Sequence, residues 1–170
     1  VPKMIIMGTN DPYWTVDAIK HYISDIPGHN LLHYVPNAGH GLGDKIQAFG
    51  ALSAFFTLML NKADYPVCEW NLAEKGKNID LQVKASSDQL IGAALWSSVS
   101  DSRDFRKATW TKSDIQINAK NKYAVNARIK YPKTGFQAFY VDLIYEDPHG
   151  EKYSVSTRTY VSDNKEVFVQ

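Results

Sequence analysis

The sequence predicts an α/β unit followed by an all-β module, and three observations carry that reading. Two short apolar runs near the start each end in a turn and lead into a helical pattern, apolar and polar residues alternate from Cys68 onward, and the composition changes where the pattern does. Residues 1–64 hold four Lys, no Arg, five Asp, four of the five His and six of the ten Gly, whereas residues 65–170 hold fifteen Lys or Arg, thirteen Asp or Glu and only His149. The break falls near Lys62-Ala63-Asp64-Tyr65-Pro66, where polar residues and a proline end a helix. A chain of 170 residues accommodates one domain or two small ones, and the expected division is 1–64 and 65–170.

Residues 4–7 form an apolar run that ends in Gly8-Thr9-Asn10-Asp11-Pro12, a buried strand followed by a turn. Asp17 reads as the N-cap of a helix over 18–24, which Pro27-Gly28 stops. Residues 31–35 form a second strand, closed by Pro36-Asn37-Ala38-Gly39-His40-Gly41, and Asp44 then caps a helix to about Leu60 or Asn61. The order βαβα implies parallel strands. The last helix carries Ile46, Phe49, Leu52, Phe55, Phe56, Leu58, Met59 and Leu60 over most of its surface and so needs cover on several sides. Two strands and two helices do not supply it, since parallel sheets are packed on both faces. Further sheet partners are therefore expected, from an upstream segment of the same protein or from another chain. The start at Val1, with no initiator Met and no basic leader, reads as a piece of a longer precursor.

The second part switches to period two. Cys68, Trp70 and Leu72 alternate with polar neighbours, as do Ile79, Leu81 and Val83; Tyr123, Val125, Ala127, Ile129 and Tyr131; Phe139, Val141, Leu143 and Tyr145; and Tyr153, Val155, Thr157, Thr159 and Val161. With residues 90–96 and 108–110 this makes about seven short strands, the pattern of an immunoglobulin-like or fibronectin-type sandwich without an inter-sheet disulfide.

A formal net charge of +1 and the spread of Lys112, Lys120, Lys122, Lys130 and Lys133 over separate elements describe a solvated face and exclude a strongly basic nucleic-acid binder. No apolar run reaches a membrane span: residues 46–60 are interrupted by Gln47, Gly50, Ser53 and Thr57. The single Cys68 excludes an internal disulfide and a thiolate-rich zinc site. No cofactor is implied.

The chemistry concentrates at Asp11 and His40, each just past the carboxyl end of a strand. A right-handed crossover returns the second strand parallel to the first, so both loops open on the sheet edge where α/β proteins place ligands. On neighbouring strands ~4.8 Å apart the two side chains can meet. A carboxylate accepting from one imidazole nitrogen fixes the tautomer and leaves the other nitrogen as a base. The nucleophile such a pair needs is not evident. G-x-S-x-G is absent, and Ser53, Ser86, Ser87, Ser97, Ser98, Ser100 and Ser102 sit at no glycine-flanked elbow. In the order Ser, Asp, His the nucleophile would precede Asp11.

Gly8-Thr9-Asn10-Asp11, Asp17 and Leu32-His33-Tyr34-Val35-Pro36-Asn37-Ala38-Gly39-His40-Gly41 resemble the C-terminal end of an α/β-hydrolase fold, in particular that of the PhoPQ-activated pathogenicity-related family, which includes autocrine proliferation repressor proteins. Leu95-Trp96, Asp101-Ser102-Arg103-Asp104-Phe105-Arg106, Trp110 and Gly135-Phe136-Gln137-Ala138-Phe139-Tyr140-Val141-Asp142-Leu143 resemble the β domain that follows it there. The resemblance implies a secreted or periplasmic protein with a hydrolase scaffold and an appended sandwich, with Asp11 as triad acid and His40 as triad base; the nucleophile half of the domain is absent. It leaves two functions open. One is hydrolysis of a small ester or peptide, with this chain inactive alone; the other is a secreted ligand that binds a cell-surface receptor and uses the scaffold without catalysis.

Other residues have plainer readings. His33 lies inside a strand as a core residue, and His21, His29 and His149 are solvated. Asp11, His33 and His40 do not converge on a tetrahedral metal centre. Tyr13 and Trp14 either wall a substrate pocket or pack under the missing part of the domain. Residues 101–106 read as a salt-bridged turn.

Overall fold

The computed structural model describes residues 1–86, 90–118 and 121–170, so Ser87 and Lys120 lie outside the described residues. Among the described residues ten strands form two sheets: β1 Lys3–Gly8, β2 Asn30–Val35, β3 Cys68–Lys75, β4 Asn78–Ala85, β5 Leu90–Ser100, β6 Thr111–Asp114, β7 Ala124–Lys130, β8 Phe136–Glu146, β9 Lys152–Ser156 and β10 Tyr160–Ser162. An α-helix, α1, spans Ile46–Leu60, where the apolar pattern predicts it. The fold is a mostly β structure with two packed sheets. Among the described residues no helix is long and apolar enough to cross a membrane.

β1 and β2 pair in parallel, Lys3 opposite Asn30 through Gly8 opposite Val35. The connection between them differs from expectation. Residues 18–24 form two short 3-10 turns, Ala18–His21 and Ile23–Asp25, not an α-helix, and Asp17 makes no side-chain cap. Asp17 lies at φ −103°, ψ 11°, outside the extended conformation of an N-cap, and its buried carboxylate turns instead to Lys20 Nζ and Arg103 Nη2, which both donate to Oδ2 at 3.0 Å. Asp44 does serve the start of α1, accepting the Ile46 N–H at 3.0 Å, while Lys45 turns through a left-handed conformation (φ 67°).

The larger sheet runs β1-β2-β9-β8-β5-β6, with β10 also on β8, and the smaller is β3-β4-β7. β2 meets β9 antiparallel, Leu32 opposite Ser156, so one sheet crosses the 64/65 position. The alternating residues of the β-rich part do face inward: Ile79, Leu81, Val83, Val125, Ala127 and Ile129 from the small sheet close on Phe139, Val141, Leu143, Tyr145 and Val155. Two strands fall differently from expectation. The strand over 108–110 begins later, at Thr111, because Trp110 is buried against Phe105 and Tyr140. The run 153–161 divides into β9 and β10, since Thr157 turns its hydroxyl onto the Val141 N–H (3.1 Å) and interrupts the ladder while both halves stay on β8.

α1 buries Ala48, Ala51, Ala54, Phe55 and Leu58. Its other side, Ile46, Phe49, Phe56, Met59 and Leu60, is exposed, Leu60 at 76%, and β1 forms an edge of its sheet.

Candidate functional site: an acid–histidine pair on the strand rim

Because β1 and β2 are parallel neighbours, the loops after them leave the sheet side by side. They touch closely. A Cβ built on Gly8 would lie 2.4 Å from the carbonyl oxygens of both Ala38 and Gly39, so only glycine permits the β1 exit to pass under the His40 loop. The loops are also bonded backbone to backbone, Thr9 N–H to Val35 O at 3.1 Å and Asn10 N–H to Ala38 O at 2.9 Å.

On this base Asp11 and His40 come together: His40 Nδ1 lies 2.8 Å from Asp11 Oδ2, and Asp11 Oδ1 accepts the Tyr13 N–H at 2.8 Å. The carboxylate is sheltered, with 15% of the side chain exposed, while 61% of the imidazole is open. Partial burial acts to raise the Asp11 carboxyl, but the Tyr13 N–H, the His40 hydrogen bond and charge, and the Trp14 N–H outweigh it and hold the group below its usual value. An ionised acceptor at Nδ1 places the proton of neutral His40 there and leaves Nε2 with its lone pair outward, the arrangement of a general base.

Tyr13 stands edge-on to the His40 ring, centroids 4.9 Å apart and planes at 90°. Tyr13 and Trp14 are exposed, at 72% and 68%. Both line a cleft of about 430 Å³ whose far wall is Ser102–Arg106 of the β-rich part and whose floor includes Asp11. A second, more apolar cleft of about 450 Å³, with Met7, Ile19, Tyr22 and Leu42 among its lining, adjoins His40 and Trp14. Residues 101–106 are salt-bridged, Arg106 to Asp104 within the turn, but Arg103 instead reaches Asp17, and Phe105 is buried.

The other candidates lie elsewhere. His33 is buried in β2 with Nδ1 facing Ser154 O at 3.2 Å, and burial lowers its pKa. His21, His29 and His149 are exposed. Cys68 starts β3 with its thiol pushed well up by burial and by the charges of Asp142 and Glu69, which leaves it a poor nucleophile. Ser102 borders the first cleft with its Oγ accepting the Asp104 N–H at 3.3 Å in a turn, not an elbow. Among the described residues, no three His, Cys, Asp or Glu side chains gather as a metal site would require. Sequence reasoning did not single out Gly8, Asn10 or Asn37, whose importance depends on contacts with distant carbonyls. The Gly8-Thr9-Asn10 and Asn37-Ala38-Gly39 turns were the only signal.

Fold and rim define a class: a chain in which a parallel β pair, carrying an acid–histidine pair at its carboxyl ends, shares a sheet with a β-sandwich. More particularly, the chain belongs to the PhoPQ-activated pathogenicity-related protein family, whose family model matches residues 1–106. No curated protein matches it. Among solved structures it is similar to a carbohydrate-binding module family 56 beta-1,3-glucan binding domain, with 15% sequence identity, 56% of this chain and 96% of that chain covered, and a TM-score of 0.34. A likeness that slight carries no argument about ligand.

Proposed function

We propose that this chain supplies the acid and the base of a Ser-Asp-His triad for hydrolysis of an ester or amide, with the serine contributed by a segment outside residues 1–170. The observation that carries the reading is the 2.8 Å contact between Asp11 and His40 Nδ1 at the carboxyl ends of adjacent parallel strands, with most of the imidazole exposed. In this reading residues 1–64 are the C-terminal portion of an α/β-hydrolase domain. The edge position of β1 and the uncovered apolar side of α1 support it, since both are where further parallel strands and a helix would pack. His40 Nε2 takes the proton of the serine hydroxyl as the oxygen attacks the carbonyl carbon, Asp11 stabilises the imidazolium, and the same proton then passes to the leaving oxygen or nitrogen. Trp14 and Tyr13 form the substrate side of the clefts.

The test is a protein that includes the upstream segment. It is expected to label with a fluorophosphonate at a serine that lies in a strand-to-helix elbow, and His40→Ala is expected to abolish labelling with the fold retained. A protein with no such serine that resists the reagent overturns the reading. In that case a His40→Ala variant with full biological activity points instead to a secreted binding protein that engages a receptor.

A further inference from the structure

The geometry points to the β-sandwich as the structure that sets the alignment of the acid–histidine pair, with Asn10 and Asn37 as positioning residues. Use of that alignment in catalysis rests on the hydrolase reading above; the positioning itself does not.

Each rim loop carries one asparagine close to its chemical residue, Asn10 directly before Asp11 and Asn37 three residues before His40. Both side chains are tied to the same stretch of the β-rich part. Asn10 Nδ2 donates toward the carbonyls of Phe105 (3.0 Å), Arg106 (3.3 Å) and Ala108 (2.7 Å). Asn37 pairs with the backbone of Trp110 in both directions: Nδ2 donates to its carbonyl at 3.0 Å, and Oδ1 accepts its N–H at 2.7 Å.

The two loops are joined through Thr9, which is buried: its Oγ1 accepts the Asn37 N–H at 2.9 Å and donates to Asn10 Oδ1 at 2.8 Å. The result is a closed network of three segments in which both polar ends of both amides are used. An amide suits this role because it offers a donor and an acceptor on one rigid plane, which neither Asp nor Ser can do. Asn37 also adopts φ 58°, a left-handed conformation that asparagine tolerates.

Residues 105–110 are a firm anchor. Phe105 and Trp110 are buried with Tyr34, Ala138, Tyr140 and Val161. Arg103 adds a second tie, pairing with buried Asp17 at 3.0 Å and lying over the Phe168 ring at 4.5 Å. The rim loops therefore take their relative position from the sandwich as well as from the β1–β2 pair. The 2.8 Å contact between Asp11 and His40 is what that position delivers.

Two variants of the intact protein test this, Asn10→Ala and Asn37→Gly, the second because glycine keeps the left-handed backbone while removing the amide. The readout is the tautomer of His40 by histidine-selective ¹⁵N NMR, with thermal melting as the folding check. The parent holds neutral His40 as the Nδ1–H form; each variant is expected to show a mixture with the Nε2–H form. Ester turnover is expected to fall about ten- to a hundredfold in kcat with KM nearly unchanged.

An unchanged tautomer and unchanged kcat in a folded variant overturn the proposal. Should one variant lose its fold, the other, which cuts the network in a different loop, decides. A changed tautomer in a protein that hydrolyses no ester supports the positioning and refutes the hydrolase reading alone.

Discussion

Two carboxylates in this molecule sit in opposite electrostatic worlds. Asp11, on the rim, meets a backbone N–H and an imidazole and is held below its ordinary pKa. Asp142, in the middle of β8, also accepts two hydrogen bonds, from Ser156 Oγ at 2.6 Å and Trp96 Nε1 at 3.0 Å, yet burial pushes it up to about 6. Hydrogen bonds alone do not decide ionisation. Asp11 keeps contact with water and gains a partner that can carry positive charge, whereas Asp142 loses its hydration, and the Ser156 and Trp96 hydrogen bonds together with the Lys112 charge oppose the shift without cancelling it. The rim is built to hold charge; the mid-sheet site is built to join strands, since Ser156 also accepts the Tyr34 N–H at 3.1 Å and so links β2 to β8.

The largest effect should come from breaking the rim. If the proposed triad operates in the longer protein, Asp11→Asn presents an amide that no longer fixes the His40 tautomer, and kcat should fall by roughly 10⁴-fold with the fold intact, as a steady-state assay would show. Failure to lose activity would make Asp11 no different in kind from Asp142.

Next is the sign of the pH dependence. Asp142 has a folded pKa above its unfolded value, so it favours the folded state fully below the unfolded pKa near 4, and that contribution is lost as pH rises through about 6. Its shift corresponds to roughly 3 kcal/mol. Asp11 has the reverse sign: its contribution is present above the unfolded pKa and lost as pH falls through the depressed folded value. Urea titrations between pH 3 and about 7 should therefore lose the fall in stability between pH 4 and about 6 for Asp142→Asn, and flatten at the acid end for Asp11→Asn.

Gly8→Ala sharpens the comparison from the backbone side. Its methyl would meet two carbonyl oxygens at 2.4 Å, and relieving that contact should destabilise the fold by about 1–3 kcal/mol and move the His40 loop, while the Asp142 site stays unaltered. Chemical denaturation and the His40 NMR signals report the two parts.

The smallest change is Trp96→Phe, which removes one donor from Asp142. Stability should fall by about 1 kcal/mol, and the Asp142 titration should move further above 6, as ¹³C-carboxyl NMR would read.

Much of the fold was legible in the chain. The apolar run over 4–7 and the turn after it mark β1, the run over 31–35 marks β2, and the pattern from Asp44 to about Leu60 or Asn61 marks α1. These are short-range signals, set by period and by turn residues. The stretch after Asp17 is not legible as 3-10 turns: the Asp17 carboxylate pairs with Arg103, 86 residues away, as well as with Lys20, and no local pattern shows that partner. Likewise nothing local separates the 153–161 run into two strands; the Val141 N–H, donating to the Thr157 hydroxyl oxygen, does.

That Asp11 and His40 follow two strands of one parallel pair is already written in the order of residues, since strand, crossover and strand leave only one edge for both loops. That β9 continues that sheet, and that Asn10 and Asn37 hold the loops to Phe105, Ala108 and Trp110, emerges from the folded chain alone. Those hydrogen bonds join residues 73 to 98 positions apart. Periodicity speaks for a residue's neighbours within a turn or a strand, whereas a backbone carbonyl brought in from another segment leaves no mark on composition or spacing.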